Sequence, residues 1–180
     1  VHVLFPEVGT AENGIKLYAI EAEGQDVLRI SLVFRAGTRF QSRPFQASAT
    51  LNMISEGTRA YSAQEIAEKI DFYGAYFDVS IDRDYSVVSL CCLTKLLPQM
   101  LEVLEQMVIH PAFPETELDT YRNKRKHSLV IEREKVSFQA RELFSEVLFG
   151  KGHPYGTSYP HTDYDSLTPE DLARFHRTYY

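Results

Sequence analysis

Residues 85–93, Tyr-Ser-Val-Val-Ser-Leu-Cys-Cys-Leu, form a nearly continuous apolar run that does not alternate with polar residues. Such a run reads as a strand in the middle of a sheet, with both faces covered. Just before it, residues 76–82 do alternate. Phe77, Val79 and Ile81 share one face, and Asp78, Ser80 and Asp82 share the other. The two runs meet at Asp82-Arg83-Asp84, a turn of the length that joins antiparallel neighbours, so they read as a hairpin. Residues 27–36 alternate as well, with Leu28, Ile30, Leu32 and Phe34 opposite Arg29, Ser31 and Arg35. The sequence predicts that this strand pairs with residues 15–22 across the turn Gly24-Gln25-Asp26. Upstream lie a short apolar entry, Val3-Leu4-Phe5, and a turn-rich stretch ending at Asn13-Gly14.

Helical patterns fill the rest. Residues 45–56 contain no helix breaker, and Ser48, Leu51, Asn52 and Ser55 fall at the spacing of one helix face. Ser62-Ala63-Gln64-Glu65 is a capping box, followed by an apolar stripe (Ile66, Ala67, Ile70, Tyr73) and a glycine stop at Gly74. Leu97, Met100, Leu101, Leu104, Met107 and Val108 make a third stripe, ended by His110-Pro111. Residues 114–149 are helical throughout, with Ser137 predicted as the break between two helices. A loop rich in Gly, Pro, His and Tyr covers 150–162. Thr168-Pro169 then starts a last helix that buries Leu172, Phe175 and Tyr179. Paired strands interspersed with helices predict an α+β domain: a mixed, largely antiparallel sheet with helices packed mainly on one face. The 180 residues fit a single domain, 1–180.

Composition excludes several function classes. A net charge of -6 argues against nucleic acid or an anionic membrane as a partner. The basic run Arg122-Asn123-Lys124-Arg125-Lys126-His127 lies within a helical pattern and reads as a solvated face. No stretch approaches the ~20 apolar residues of a membrane span. Cys91 and Cys92 are adjacent on a strand, so they point to opposite faces and read as free thiols. They lean toward a reducing, cytoplasmic compartment, with the periplasm as the alternative.

Nothing in these residues marks a nucleophile: there is no Gly-x-Ser-x-Gly and no Gly-rich phosphate loop. The six histidines are His2, His110, His127, His153, His161 and His176. No two lie four residues apart, as a helical two-His zinc face requires. His153 and His161 share a loop, where surface histidines are the commoner explanation.

A set of short motifs, in order, carries a family resemblance. They are Asn13-Gly14, Ala36-Gly37-Thr38-Arg39, Glu56-Gly57-Thr58, Gly74, Arg83-Asp84-Tyr85, Pro111-Ala112-Phe113, Gly152-His153-Pro154-Tyr155-Gly156, and Asp171-Leu172 through Tyr179-Tyr180. Together they resemble the N-terminal half-domain of the M16 zinc peptidases, the group of pitrilysin, insulysin and the processing peptidases. The resemblance covers residues 13–180. It implies a processing-peptidase-like fold and a longer parent protein of two or four such domains.

Active members of that family carry an inverted motif, His-x-x-Glu-His, on the first helix, and a further Glu downstream. The two His and the downstream Glu bind zinc, and the motif Glu is the general base. Counted back from Gly57-Thr58, the motif falls on Ser48 to Asn52. Ser48 and Asn52 then stand at the histidine positions, Leu51 at the general base and Ser128 at the downstream Glu. Hydroxyls and amides are poor zinc ligands beside imidazole, and Leu51 takes no proton.

The expectation is therefore no catalytic residue and no zinc in this chain, with Ser48, Leu51, Asn52 and Ser128 converging as a metal-free site. The resemblance also implies a role: a non-catalytic structural and peptide-binding half-domain in a dimer. Its partners would be a homologous half-domain, a catalytic M16 subunit and an unfolded peptide. The alternative is an active zinc-dependent metalloendopeptidase whose metal site is completed by other residues, such as Glu56, Glu132 and Glu134, or by a partner chain.

Overall fold

The computed structural model describes residues 5–21 and 24–180. Val3, Leu4 and Ala22 lie outside the described residues. Along the chain the strands are β1 (Glu7–Thr10), β2 (Lys16–Ala19), β3 (Val27–Phe34), β4 (Tyr76–Ile81) and β5 (Ser86–Leu93). The helices are α1 (Gln46–Met53), α2 (Ala63–Phe72), α3 (Leu97–Ile109), α4 (Glu115–Glu134), α5 (Val136–Phe149) and α6 (Pro169–Tyr179).

Strand β5 is central, in the order β3-β5-β4, and both of its pairings are antiparallel. The expected hairpin is present, with Ile81 opposite Ser86. The carboxylate of Asp82 caps the turn by accepting from the backbone N–H groups of Asp84 and Tyr85, both at 2.7 Å.

Two sequence expectations fail here. Strand β3 pairs with β5, from Val27↔Leu93 to Phe34↔Ser86, and not with β2. Strand β2 instead pairs with β1, a strand that the turn-rich composition of residues 6–13 concealed. The physical reason is burial. Residues of β3 reach an apolar partner in β5, whereas every residue of β1 and β2 is exposed, so that pair brings no core face. The second failure concerns coverage of β5. Its Val88, Leu90 and Cys92 join the core with Ile30, Leu32, Phe34, Phe77, Val79 and Ile81. On the opposite face, Val27, Val33, Tyr76 and Leu93 are exposed, so helices cover one face only. Neighbouring strands alone bury Ser89, whose hydroxyl bonds that of Ser31 at 2.9 Å.

The helix signals hold closely. Ser62 and Glu65 form the capping box of α2, and Gly74 ends it at φ +59, a left-handed conformation that suits glycine. Thr168 and Asp171 form a second box at α6. The break between α4 and α5 falls at Lys135, two residues before the predicted Ser137, where an extended backbone (φ -79, ψ 123) interrupts the helix.

Helix α1 is the centre of the helical layer. Ala47, Ala49, Leu51, Met53 and Ile54 have no exposed surface. Small Ala47 sits with Ala36 and Phe175 in a cluster that seats α6 against α1. The buried Gln46 amide donates to the Asp171 carbonyl at 2.7 Å, so the same contact is also polar and directional. The chain enters α1 through Phe45, held at φ +61, a left-handed conformation that costs a non-glycine residue about 1–2 kcal/mol. Its ring stacks on Tyr164 with centroids 3.9 Å apart, which offsets that cost.

Close packing generates the first prediction. Gly37 has an ordinary negative φ, yet an added Cβ would sit 2.4 Å from backbone atoms of Arg83 and Asp84. Gly37→Ala is expected to lower unfolding free energy by ~1–3 kcal/mol, whereas Gly152→Ala, which meets open space, should change it little. Denaturant unfolding measures both. A second prediction concerns His176, whose ring nitrogen Nε2 lies 2.8 Å from the Val108 carbonyl oxygen. Burial holds His176 below the usual histidine value of 6.5, against a smaller upward pull from that contact. The unfolded chain then binds the proton at a higher pH than the folded one. Stability is expected to fall as pH drops below 6.5 toward the folded pKa, and the dependence should weaken in His176→Asn. Stability measured across pH 5 to 8 checks this.

Candidate functional site

The helix face singled out in the sequence lies where α1 packs against α4. Ser48 is half-buried, and its hydroxyl donates to the Phe45 carbonyl at 3.0 Å. Asn52 is half-buried, and its amide nitrogen donates to the Ser48 carbonyl at 2.7 Å. Both side chains are therefore bonded back to their own helix. Leu51 is fully buried and joins Leu118 and Leu129 of α4 in the main core. Ser128 is half-buried on α4, where its hydroxyl donates to the Lys124 carbonyl at 3.0 Å. These four residues sit on two packed helices, and no hydrogen bond joins Ser128 to α1.

Sequence reasoning missed what stands beside them. Tyr121, Arg125 and Ser128 follow at helical spacing on α4, which puts them along one side. The Tyr121 hydroxyl is buried without a hydrogen-bond partner among the described residues. Burial pushes its pKa well up. Neighbouring Tyr164 adds to that, while Arg125 and Ser48 pull the other way without a hydrogen bond of normal geometry. Arg125 is itself half-buried. Desolvation lowers its pKa, and the hydroxyl of buried Tyr164 together with surrounding negative potential outweighs that and raises it. The basic run thus does not all face solvent as read from sequence: Arg125 is half-buried, and Arg122, with 12% of its side chain exposed, pairs with Asp119 at 2.9 Å and donates to the Leu167 carbonyl.

This donor set does not fit zinc. It offers two hydroxyls, an amide and a hydrocarbon, with a fixed guanidinium cation close by. The acids named as alternatives do not rescue it. Burial raises the pKa of Glu56, and so does its neighbour Glu117. Among the described residues, no three of His, Cys, Asp or Glu come together in a way that could hold a metal ion. In the 150–162 loop, His153 Nδ1 accepts from the Tyr155 backbone N–H at 3.1 Å and its ring stacks on Phe149, which commits it to the loop's own structure.

The fold defines a class: a helix-backed antiparallel sheet with its candidate site where the first α-helix, α1, packs against α4. A family model described as insulinase, peptidase family M16, matches residues 17–151. The chain belongs to that family. Among curated relatives it is 24% identical to the rat mitochondrial-processing peptidase subunit beta, over 97% of this chain and 36% of the relative. It is 26% identical to the potato subunit alpha, over 87% of this chain and 31% of the relative. It is 25% identical to an uncharacterized zinc protease, YmxG of Bacillus subtilis, over 92% and 39%. The chain thus spans about a third of the length of the curated relatives it matches.

Among solved structures, a peptidase M16 inactive domain from Pseudomonas fluorescens superposes with a TM-score of 0.90 at 24% identity, covering 96% of this chain and 43% of that one. A protease from Helicobacter pylori superposes with a TM-score of 0.84 at 16% identity, covering 97% and 43%. These likenesses show the fold. No helix among the described residues is long and apolar enough to cross a membrane.

The unpartnered phenol gives a prediction. Tyr121→Phe removes a buried hydroxyl that makes no bond, so it is expected to leave stability unchanged or raise it by ~1–2 kcal/mol. Leu51→Ala, which empties a core position, is expected to cost ~2–5 kcal/mol. Chemical denaturation of both variants tests the contrast.

Proposed function

We propose that residues 1–180 form one domain, an M16 N-terminal half-domain without catalytic chemistry of its own. It acts as a structural and peptide-binding partner of a catalytic zinc subunit. The observation that carries this reading is the α1 face. Ser48 and Asn52 bond back to their own helix, and Leu51 is packed into the core where the family places its general base. Ser128 then stands at the fourth degenerate position. A water molecule activated by metal and base has no route through such residues.

The comparisons support the partner role. The rat and potato relatives are named as beta and alpha subunits of one peptidase, and the Pseudomonas neighbour is described as an inactive domain. The surface is also suited to pairing. Helix α5 has no buried residue, and Leu143, Phe144, Val147 and Leu148 are all largely exposed. An apolar helix face of that extent favours cover by a homologous half-domain.

The test is metal content and cleavage of the purified protein, alone and mixed with a motif-bearing M16 subunit. The expected outcome is far less than one zinc per chain, no cleavage alone, and chelator-sensitive cleavage of an unfolded peptide by the mixture. Stoichiometric zinc with chelator-sensitive cleavage by this protein alone would overturn the reading.

A further inference from the structure

Residues 154–158 of the loop, α5, the β4–β5 turn and Thr38 line an open cavity of about 320 Å³. No residue of α1 or α4 lines it, so it is separate from the face described above and does not depend on how that face is read. Two guanidinium groups line it, Arg83 from the turn and Arg141 from α5. Neither pairs with a carboxylate among the described residues.

The neighbouring acids are committed elsewhere. Asp84 pairs with Arg39 at 2.6 Å and accepts from the Tyr155 hydroxyl at 2.7 Å. Glu142, which lines the cavity, pairs with Arg133 at 3.4 Å. Glu146 pairs with Lys151 at 3.3 Å.

The cavity is built rather than incidental. Arg83 Nη2 donates to the Ser145 hydroxyl at 2.7 Å, and its guanidinium lies 5.2 Å from the Tyr155 ring centroid and 5.8 Å from that of Phe149. Tyr155 is in turn pinned by Asp84. The loop wall is tight at Gly156, where a Cβ would come within 2.2 Å of the Gly150 carbonyl oxygen. Arg141 uses only Nε, toward the Ser137 carbonyl of its own helix, which leaves its two terminal nitrogens without a partner among the described residues. In a chain of net charge -6, this is a local positive site.

We propose that this cavity binds a carboxylate. Planar guanidinium forks match a carboxylate through paired N–H···O bonds, and the Arg83 fork, held by Ser145 and the Tyr155 ring, is organised for one before it arrives. The volume lies near the low end of small-ligand sites, which are roughly 300–1,000 Å³. It suits one acidic side chain or a small dicarboxylate rather than a folded surface. Both sources share the same chemistry, and the test separates them.

The full-length protein is titrated with succinate, with a blocked Gly-Glu-Gly peptide and with its Gly-Gln-Gly counterpart, following backbone amide resonances of residues 155–158. The expected result is saturable shifts with an acidic probe, none with the Gln peptide, and binding weakened ~10-fold or more by Arg141→Gln. Arg141 bonds only within its own helix, so that variant keeps the fold, and Arg83→Gln serves as the second variant. Tighter binding of the Glu peptide than of succinate identifies a peptide side chain as the source, and the reverse identifies a free dicarboxylate. Equal shifts with the Gln peptide, an affinity unchanged by Arg141→Gln, or no shift at millimolar acidic probe would each overturn the proposal.

Discussion

The arrangement depends on β5 being shared by two strands. Backbone amides and carbonyls buried in an apolar core must be paired, and β5 finds partners on both edges, β3 and β4. That fixes which residues of three strands share a face. The core side carries Val88, Leu90 and Cys92 with the inward residues of β3 and β4, and the helical layer covers it. The turn after β4 is held by Asp82, and Gly37, at the end of β3, packs against the backbone of that turn. One pairing constraint therefore sets the sheet, the seat of α1 and the position of the Arg83 turn.

From there the helices follow by packing. Alanines in α1 allow close approach, and the Gln46–Asp171 bond fixes α6 against it. Asp171 has several roles at once: it caps α6, it pairs with Arg43 and Arg174, and its carbonyl receives Gln46. A nearly buried carboxylate is tolerable only with such partners. The outcome is a closely packed inner layer of α1 and α6. The α5 face and the outer side of the sheet, by contrast, keep large apolar residues in solvent.

Much of this was legible in the sequence. The capping box at Ser62, the helix start at Thr168-Pro169, the Gly74 stop, the β4–β5 hairpin and the central position of β5 all arise from local chemistry, and local chemistry is written in neighbouring residues. The β3 partner was not legible, because pairing across some sixty residues is chosen by burial rather than by proximity along the chain. The open outer face of β5 was hidden for a related reason: an apolar run shows what could be covered, not what covers it. At the candidate site, the spacing of Ser48, Leu51 and Asn52 placed them on one helix face. Tyr121 and Arg125 were passed over, because a basic run on a helix says nothing of which members turn inward.

The sequence alone determined the helices, the strands other than β1, the capping box at Ser62 and the residue types at Ser48, Leu51, Asn52 and Ser128, because these depend on backbone preferences and on the atoms each side chain carries. Only the tertiary structure decided that Leu51 is sealed in the core, that the Tyr121 hydroxyl is buried without a partner, and that Arg83 meets Arg141 across a cavity. Those facts join residues far apart in the chain, and only the burial of the shared core brings such residues together.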